Sequence, residues 1–342
     1  MKAAVIRQHG GPEVLTLDDL PEPVAGHGEA LVRVRACALN HLDLWTRRGL
    51  PGRSVPFPHV LGNDIAGEIA ALGPGGDGPP LGQRVMLSPG ISCGRCRACF
   101  RGDDSACRAY RILGAHVHGG YAEFVRCPVQ NIIPLPEGFS FEEAAAFPLV
   151  FLTAWRMLVT RARLRPGENV LVWAAGSGVG SASIQVAKLL GARVIATAGS
   201  DRKLDQAKFL GADHAIHHHR DDVVAEVKRL TGKAGVDVVV EHVGQATWER
   251  SILSLAQGGR LVTCGATTGP SGATELRYVF SKQLTIMGSY TGSKAELLQA
   301  ADFFFARKLR TVVHGVLPLG DAQRAHQAME ASEHFGKIVL VP

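Results

Sequence analysis

The chain has 342 residues, which is enough for two domains of ordinary size. Hydrophobic residues make up 46% of the chain and charged residues 20%, a balance that excludes an intrinsically disordered protein. The net charge of +6 comes from scattered basic residues without a dense basic run, so a nucleic-acid partner is not indicated.

No targeting segment is evident in the sequence. Residues 1–7 place only four apolar residues between charges, fewer than the apolar core of a secretion signal needs. The longest uncharged stretch, residues 169–187, is interrupted by glycines, serines, an asparagine and a glutamine, so it predicts a strand, a turn and a helix rather than a membrane span. We therefore expect a cytoplasmic protein with no membrane partner.

The first 148 residues or so contain short runs in which apolar and polar residues alternate, for example residues 30–36. Glycine and proline separate these runs. Alternation of this kind is typical of half-buried β-strands, and the glycine and proline residues between runs indicate turns. The pattern predicts antiparallel strands in a small barrel or sandwich.

Four of the seven cysteines lie close together in this half of the chain, at Cys93, Cys96, Cys99 and Cys107. Four thiolates at this spacing can surround one tetrahedral Zn²⁺ at ~2.3 Å. No ligand position is left for water, so the spacing predicts a structural zinc site rather than a catalytic one. An iron–sulfur cluster and free thiols are the alternatives. A nucleic-acid-binding zinc ribbon is disfavoured, because its two cysteine pairs are separated by a longer segment.

From about residue 150 to residue 290, short apolar strands alternate with helical patterns, which predicts a parallel, doubly wound α/β sheet. A run of small residues joins the strand at residues 170–173 to a helix. Small residues at such a turn let a phosphate group approach the backbone and the positive end of the helix. The predicted dinucleotide-binding turn consists of Gly176, Ser177, Gly178, Val179 and Gly180.

The end of the next strand predicts which dinucleotide binds. An acidic residue there would hydrogen-bond the adenosine ribose and repel a 2′-phosphate, but this chain has Ala198. Ser200, Arg202 and Lys203 follow and could hold a phosphate, whereas Asp201 complicates this interpretation unless its side chain faces solvent. We predict NADP(H) in preference to NAD(H), with NAD(H) as the alternative.

The last fifty residues predict one or two helices, near residues 294–307 and 321–331, and a final strand at residues 337–341. Just before them, the apolar strand 284–289 could pair with the same strand of a second subunit. We therefore expect a homodimer or a homotetramer that acts on a small-molecule substrate.

Several segments together resemble one family. They are the cysteine cluster, the glycine-rich turn, and residues 40–43, 58–64 and 118–124. The chain resembles the medium-chain dehydrogenase/reductase superfamily, which includes the zinc-type alcohol dehydrogenases and the quinone oxidoreductases. The resemblance implies a GroES-like, mostly-β catalytic domain formed by residues 1–149 and 292–342. It implies a Rossmann coenzyme domain at residues 150–291 and an NAD(P)-dependent oxidoreductase that transfers hydride.

The resemblance also locates the positions where the family's alcohol dehydrogenases bind a catalytic zinc. These three ligands fall at Asn40, Asn63 and Leu149 here, and the hydroxyl that relays the proton falls at Leu42. Neutral amides and a leucine do not hold Zn²⁺ tightly. The resemblance therefore implies a protein without catalytic zinc, similar to the quinone oxidoreductases.

Without zinc, another group must polarise the substrate oxygen. We expect the amide N–H groups of Asn40 and Asn63 to do so, with Asp43 and Asp64 orienting the two amides. Such a site suits a quinone, an enone or a related carbonyl. The alternatives are an alcohol dehydrogenase whose zinc is held by unrecognised ligands, and a dinucleotide-binding protein without turnover.

The resemblance implies further cofactor contacts at Thr153 for the nicotinamide, at His41 and Lys337 for the pyrophosphate, and at the strand end formed by Gly265 and Ala266. The run of histidines at residues 217–219 suggests a metal site at first sight. Consecutive side chains at a strand end diverge, however, so we expect these histidines to lie in a solvated loop.

Overall fold

The structure is a computed structural model that describes residues 1–50, 52, 54–75 and 77–342. Contacts between residues divide the chain into two units. The first unit comprises Met1–Leu149, Ser293–Leu297 and Arg310–Pro342, and the second comprises Val150–Gly292 and Leu298–Leu309.

The first unit is built mainly of strands. Its strands are β1 (Lys2–Ile6), β2 (Leu15–Asp19), β3 (Glu29–Ala38), β4 (His59–Val60), β5 (Asp64–Leu72), β6 (Arg84–Leu87), β7 (Gly90–Ile91), β8 (Arg111–Ile112), β9 (Phe124–Pro128), β10 (Ile132–Pro134), β17 (Val313–Pro318) and β18 (Lys337–Val341). Seven of them form one sheet with the order β10-β6-β5-β3-β18-β17, in which β9 also pairs with β3. The antiparallel pairs around β3 bury the apolar side chains of alternate positions, as the alternating sequence predicts.

Short helices complete this unit, namely α1 (His41–Arg48), α2 (Arg97–Phe100), α3 (Phe141–Ala145) and α11 (Ala322–Glu330). Helix α11 buries Ala325 and Met329 in the same apolar core as the strands. The final strand β18 runs antiparallel to β3 and parallel to β17, so residues from the end of the sequence lie beside residues from its beginning.

The second unit contains a parallel sheet of six strands in the order β13-β12-β11-β14-β15-β16. These strands are β11 (Asn169–Val172), β12 (Arg193–Ala198), β13 (His214–His217), β14 (Val236–Glu241), β15 (Leu255–Thr263) and β16 (Thr285–Gly288). Helices alternate with them: α5 (Gly178–Leu189), α6 (Asp201–Phe209), α7 (Val223–Leu230), α8 (Trp248–Ser254) and α9 (Leu276–Ser281). The predicted doubly wound α/β sheet is confirmed.

Two helices lie where the chain passes between the units, α4 (Pro148–Trp155) and α10 (Lys294–Phe305). Most of α10 belongs to the second unit, whereas the predicted domain boundary at residue 292 assigns it to the first. The reason is aromatic packing: the Phe303 ring lies 5.6 Å from the Trp155 ring, and Trp155 Nε1 donates to Gln299 at 3.2 Å.

Among the described residues, no helix combines the length and the apolar character that a membrane span requires.

Candidate functional site

Helix α1 follows the end of β3 and carries the first group of candidate residues. Asn40 directly precedes it, and the Asn40 backbone N–H donates to Asp43 Oδ2 at 2.8 Å. Asp43 Oδ1 accepts the backbone N–H of Gly62 at 2.9 Å and Nδ2 of Asn63 at 3.2 Å. Gly62 has φ of +93°, and a Cβ there would lie 2.4 Å from the Tyr121 ring, so glycine is required.

Asp64 and Lys337 complete this buried network. Asn40 Nδ2 donates to Asn63 Oδ1 at 2.6 Å and to Asp64 Oδ2 at 2.8 Å. Lys337 Nζ donates to Asn40 Oδ1 at 2.5 Å and forms an ion pair with Asp64 Oδ2 at 2.9 Å. The backbone N–H of Leu149 donates to the other oxygen of Asp64 at 2.8 Å. The four predicted catalytic residues therefore lie in one hydrogen-bonded network, namely Asn40, Asp43, Asn63 and Asp64.

The hydrogen-bond count distinguishes the two asparagines. An amide group has two N–H donors, and both donors of Asn40 are bonded to Asn63 and Asp64. Asn63 uses one donor on Asp43, and its second N–H has no partner among the described residues, inside a side chain that is fully buried. The expectation that Asn40 also donates to a substrate oxygen does not fit this arrangement. Asn40 instead donates to Asn63 and accepts a hydrogen bond from the ammonium group of Lys337.

Asp43 is fully buried, and burial raises its pKa to about 7. The backbone N–H groups of Asn40 and Gly62 act in the opposite direction, as does the positive charge of Lys337. The carboxyl group of Asp43 therefore titrates near neutral pH, where a change in its hydrogen bonds alters its charge.

The two residues predicted to contact the pyrophosphate, Lys337 and His41, lie in different environments. The Lys337 side chain is 4% exposed and lies inside the network, so its ammonium group neutralises Asp64. His41 is the first residue of α1, is partly exposed, and has its ring 6.4 Å from the ring of Trp45. Their contact with a cofactor stays a prediction.

In the second unit, β11 leads into the predicted dinucleotide-binding turn at Gly176, Ser177, Gly178, Val179 and Gly180. Ser177 caps helix α5, because its Oγ accepts the backbone N–H of Gly180 at 2.8 Å. A Cβ on Gly180 would lie 2.3 Å from the carbonyl oxygen of Ala174, so only glycine permits this packing of helix against strand. The first N–H groups of an α-helix have no partner inside the helix, and this turn therefore fits a phosphate group.

Strand β12 ends at Ala198, which is 2% exposed, and Ser200 precedes helix α6. Asp201 faces solvent with a side chain that is 74% exposed, and it lies 3.4 Å from Arg220. Burial and the charge of Arg202 lower the pKa of Lys203. Arg202, Lys203 and Arg220 thus lie near this strand end together with the acid Asp201.

The histidine run is only partly a solvated loop, which corrects the expectation. His217 ends β13, and His219 is exposed, but His218 is half-buried with its Nδ1 3.2 Å from Thr197 Oγ1. Burial and the charges of neighbouring groups together lower the pKa of His218 to about 4. The cause is the parallel sheet, in which the end of β13 lies beside the end of β12.

The remaining predicted cofactor residues lie in the second unit. Thr153 is buried in α4. Gly265 follows β15, and a Cβ there would lie 3.0 Å from the carbonyl oxygen of His242. Ala266 packs against Gly244, where a Cβ would lie 2.9 Å from the Ala266 Cα. Gly265 and Ala266 thus occupy a closely packed strand end.

The four clustered cysteines of the first unit converge as predicted. Their sulfur atoms all lie within 4.8 Å of one another, and neighbouring sulfurs are separated by 3.5 to 3.9 Å. A tetrahedron with metal–sulfur bonds of ~2.3 Å has edges of about 3.8 Å, so the geometry fits one zinc ion. Hydrogen bonds from the backbone of Arg95 and from Cys107 lower the pKa of Cys93 to about 6, which favours the thiolate.

Three buried residues behind Asp43 were not predicted from the sequence, namely Arg47, Tyr121 and His326. Arg47 follows Asp43 by four residues on α1, so a shared helix face was the one available signal. Tyr121 and His326 come from distant parts of the chain, and no local pattern identifies them.

Two family models match the sequence. The model of the alcohol dehydrogenase GroES-like domain matches residues 26–137, and the model of zinc-binding dehydrogenases matches residues 178–306. Both predicted domains, GroES-like and Rossmann, are thereby confirmed in fold.

The chain is similar over its whole length to proteins of several activities. It is 32% identical to an acryloyl-coenzyme A reductase of Metallosphaera sedula, with 99% of each chain covered. It is 30% identical to a quinone oxidoreductase of Rattus norvegicus, with 100% of this chain and 98% of the relative covered. A crystal structure of an NAD-dependent alcohol dehydrogenase is 50% identical and superposes with a TM-score of 0.97, with 100% of each chain covered.

Proposed function

The chain belongs to the medium-chain dehydrogenase/reductase superfamily of NAD(P)-dependent oxidoreductases, and we propose that it reduces a quinone, an enone or a related conjugated carbonyl without a catalytic zinc. The observation that carries this proposal is the buried amide network. Asn40 and Asn63 occupy the positions where the family's alcohol dehydrogenases bind zinc, and the hydrogen bonds commit their amide groups to each other, to two carboxylates and to Lys337.

The proposed chemistry needs one donor from this network. When bound, the reduced nicotinamide supplies a hydride, which goes to the β-carbon of an enone or to a quinone. Negative charge then collects on the substrate oxygen, and the second N–H of Asn63 donates to that oxygen. Asp43 and Asn40 hold the Asn63 amide in one orientation, so the donor does not need to reorganise during the reaction.

The first test compares three substrate classes before and after metal chelation. We expect one zinc per chain after extensive dialysis, held by Cys93, Cys96, Cys99 and Cys107. Reduction of a quinone or an enone should continue unchanged under a chelator treatment that leaves this zinc bound. Two zincs per chain, or alcohol oxidation that is fastest of the three reactions and depends on added Zn²⁺, would contradict the proposal.

The main alternative is an alcohol dehydrogenase with zinc held by unrecognised ligands. The name of the 50%-identical structure favours it, and the residues at Asn40 and Asn63 disfavour it because neutral amides are poor zinc ligands. A dinucleotide-binding protein without turnover is the third candidate. Steady NADPH oxidation in the presence of a quinone would exclude it.

For the cofactor, we propose a preference for NADP(H) over NAD(H). The absence of an acid at Ala198 and the cations around it support this, whereas the 50%-identical relative is named as NAD-dependent.

Binding measurements should find NADPH bound more tightly than NADH. Ala198→Asp should reverse that order by repelling the 2′-phosphate, and Lys203→Ala should weaken NADPH binding without affecting NADH. A tenfold preference of the unmodified protein for NADH, about 1.4 kcal/mol, would show that this strand end is not a phosphate site.

We further propose a cytoplasmic homodimer or homotetramer. Strand β16 supports this, because it is the edge strand of the six-stranded sheet and its Ile286 is 38% exposed.

A further inference from the structure

A row of buried side chains lies behind Asp43 in the first unit. Asp43 and Arg47 both have 0% exposure and are four residues apart on α1. Arg47 Nη1 lies 2.9 Å from Nδ1 of His326 on α11, and Nε2 of His326 lies 3.2 Å from the Tyr121 hydroxyl. The Tyr121 ring packs against Gly62, whose backbone N–H donates to Asp43, and burial and the charge of Asp43 raise the pKa of the Tyr121 hydroxyl. Two rings thus lie between the guanidinium group and the carboxylate.

The chemistry of the groups fixes the direction of every hydrogen bond in this row. A guanidinium group can only donate, so Nδ1 of His326 accepts and the ring proton lies on Nε2. Nε2 then donates to the Tyr121 oxygen, which leaves the hydroxyl proton free to turn toward Asp43. Burial, together with the charge of Arg47, lowers the pKa of His326 to about 3, so the ring is neutral as this direction requires.

Arg47, at the far end of the row, is held in place by contacts with Glu330 and Gly10. Arg47 Nη2 forms an ion pair with Glu330, whose same oxygen lies 2.7 Å from Arg48 Nη2, and Arg47 Nε donates to the backbone oxygen of Gly10 at 3.2 Å. Glu330 and His326 are four residues apart on α11, so one face of that helix fixes both the guanidinium group and the ring. Arg47 therefore has one available position.

At the near end of the row, the hydrogen-bond donors around Asp43 favour the charged form of its carboxylate. The backbone N–H groups of Asn40 and Gly62 and the Nδ2 of Asn63 all donate to Asp43. A protonated carboxyl group would present an O–H to one of these donors and lose that hydrogen bond. Besides Tyr121 and Arg47, the titratable groups facing Asp43 are Cys37, Asp64 and Lys337.

We propose that Tyr121, His326 and Arg47 are positioning residues for the reduction: they keep Asp43 charged and turned toward Asn63, and so fix the direction of the Asn63 amide. This inference rests on the proposed function, because it assumes that Asn63 donates to the substrate oxygen. The row stabilises the negative charge of Asp43 without moving a proton, since each of its groups keeps its own hydrogen.

The test uses Tyr121→Phe and two substitutions of His326. Tyr121→Phe removes one donor from charged Asp43, so the pKa of Asp43 should rise from about 7. More of the protein then carries a protonated Asp43 at neutral pH. We expect kcat at pH 7 to fall about tenfold, the acid limb of the kcat profile to move up by about one pH unit, and the KM for the cofactor to stay unchanged.

His326→Gln should behave like the unmodified protein, because a glutamine amide can accept from Arg47 and donate to Tyr121. His326→Leu should shift the pH profile as Tyr121→Phe does. Tyr278→Phe, at a tyrosine of α9 that is 40% exposed, is the matched control and should change nothing.

Infrared absorption of the protonated Asp43 carboxyl, assigned by its loss in Asp43→Asn, provides a measurement that does not depend on turnover. An unchanged titration of that band in Tyr121→Phe would overturn the inference, as would His326→Gln behaving like His326→Leu. If Asn63→Ala leaves turnover intact while the band still shifts in Tyr121→Phe, the proposed function is wrong. The effect of Tyr121 on the protonation of Asp43 is then still confirmed.

Discussion

Asn63→Ala should reduce the turnover of a quinone or an enone about a hundredfold while cofactor binding stays nearly intact. In the part of the chain that the structure describes, Asn63 is the asparagine of the network whose second N–H has no partner, and loss of one preorganised donor to a developing oxyanion costs ~3 kcal/mol. Steady-state kinetics and cofactor titration of the purified variant measure both quantities.

Asn169→Ala is a suitable control for this variant. Asn169 is a partly buried asparagine at the start of β11, and its side-chain amide makes one long hydrogen bond of 3.5 Å to Asp237. That variant should keep normal turnover. If Asn63→Ala and Asn169→Ala turn over substrate equally fast, Asn63 does not stabilise the transition state and the proposed mechanism is wrong.

Lys337→Met should lower the free energy of unfolding by about 3–5 kcal/mol, because it leaves a buried charge without its partner. The Asp64 side chain has 0% exposure, and Lys337 lies 2.9 Å from it in the same network. The hydrogen bonds from Asn40 and Leu149 remain in the variant but carry no full positive charge. Denaturant unfolding of the two proteins under the same conditions measures the difference.

The double variant Lys337→Met with Asp64→Asn tests whether the lost stability comes from the unpaired charge of Asp64. It removes both charges, and replacement of a whole buried ion pair is often close to neutral, so it should recover much of the lost stability. A double variant that is as unstable as Lys337→Met, or a single variant that loses less than about 1 kcal/mol, would mean that the pair does not neutralise Asp64 in the folded state.

The features predicted correctly from the sequence are those whose parts are close together in the chain. The cysteine cluster lies within residues 93–107, and the glycine-rich turn lies between one strand and the next helix. In each case the spacing alone limits which atoms can meet. The resemblance to the family added Asn40 and Asn63, because both positions lie in recognisable segments.

The contacts that escaped prediction join residues far apart in the sequence. Lys337 is 273 residues from Asp64, and His326 is 279 residues from Arg47. Both contacts depend on how the chain returns to the first sheet after the second unit, and hydrophobic periodicity carries no information about that return. The position of α10 was missed for the same reason, since the packing of its aromatic residues rather than their order decides which unit it joins.

The return of β18 to the first sheet also bears on the order in which the protein folds during synthesis. The ribosome makes all of residues 150–309, which include the whole second unit, before it makes β18, so the second unit can fold while the first is still incomplete. Until Lys337 emerges, the nascent chain holds Asp64 without its cation, and β3 lacks one of its neighbouring strands. Ribosome-bound chains that have released residue 309 but not residue 337 should therefore contain a protease-resistant second unit and a protease-sensitive first one.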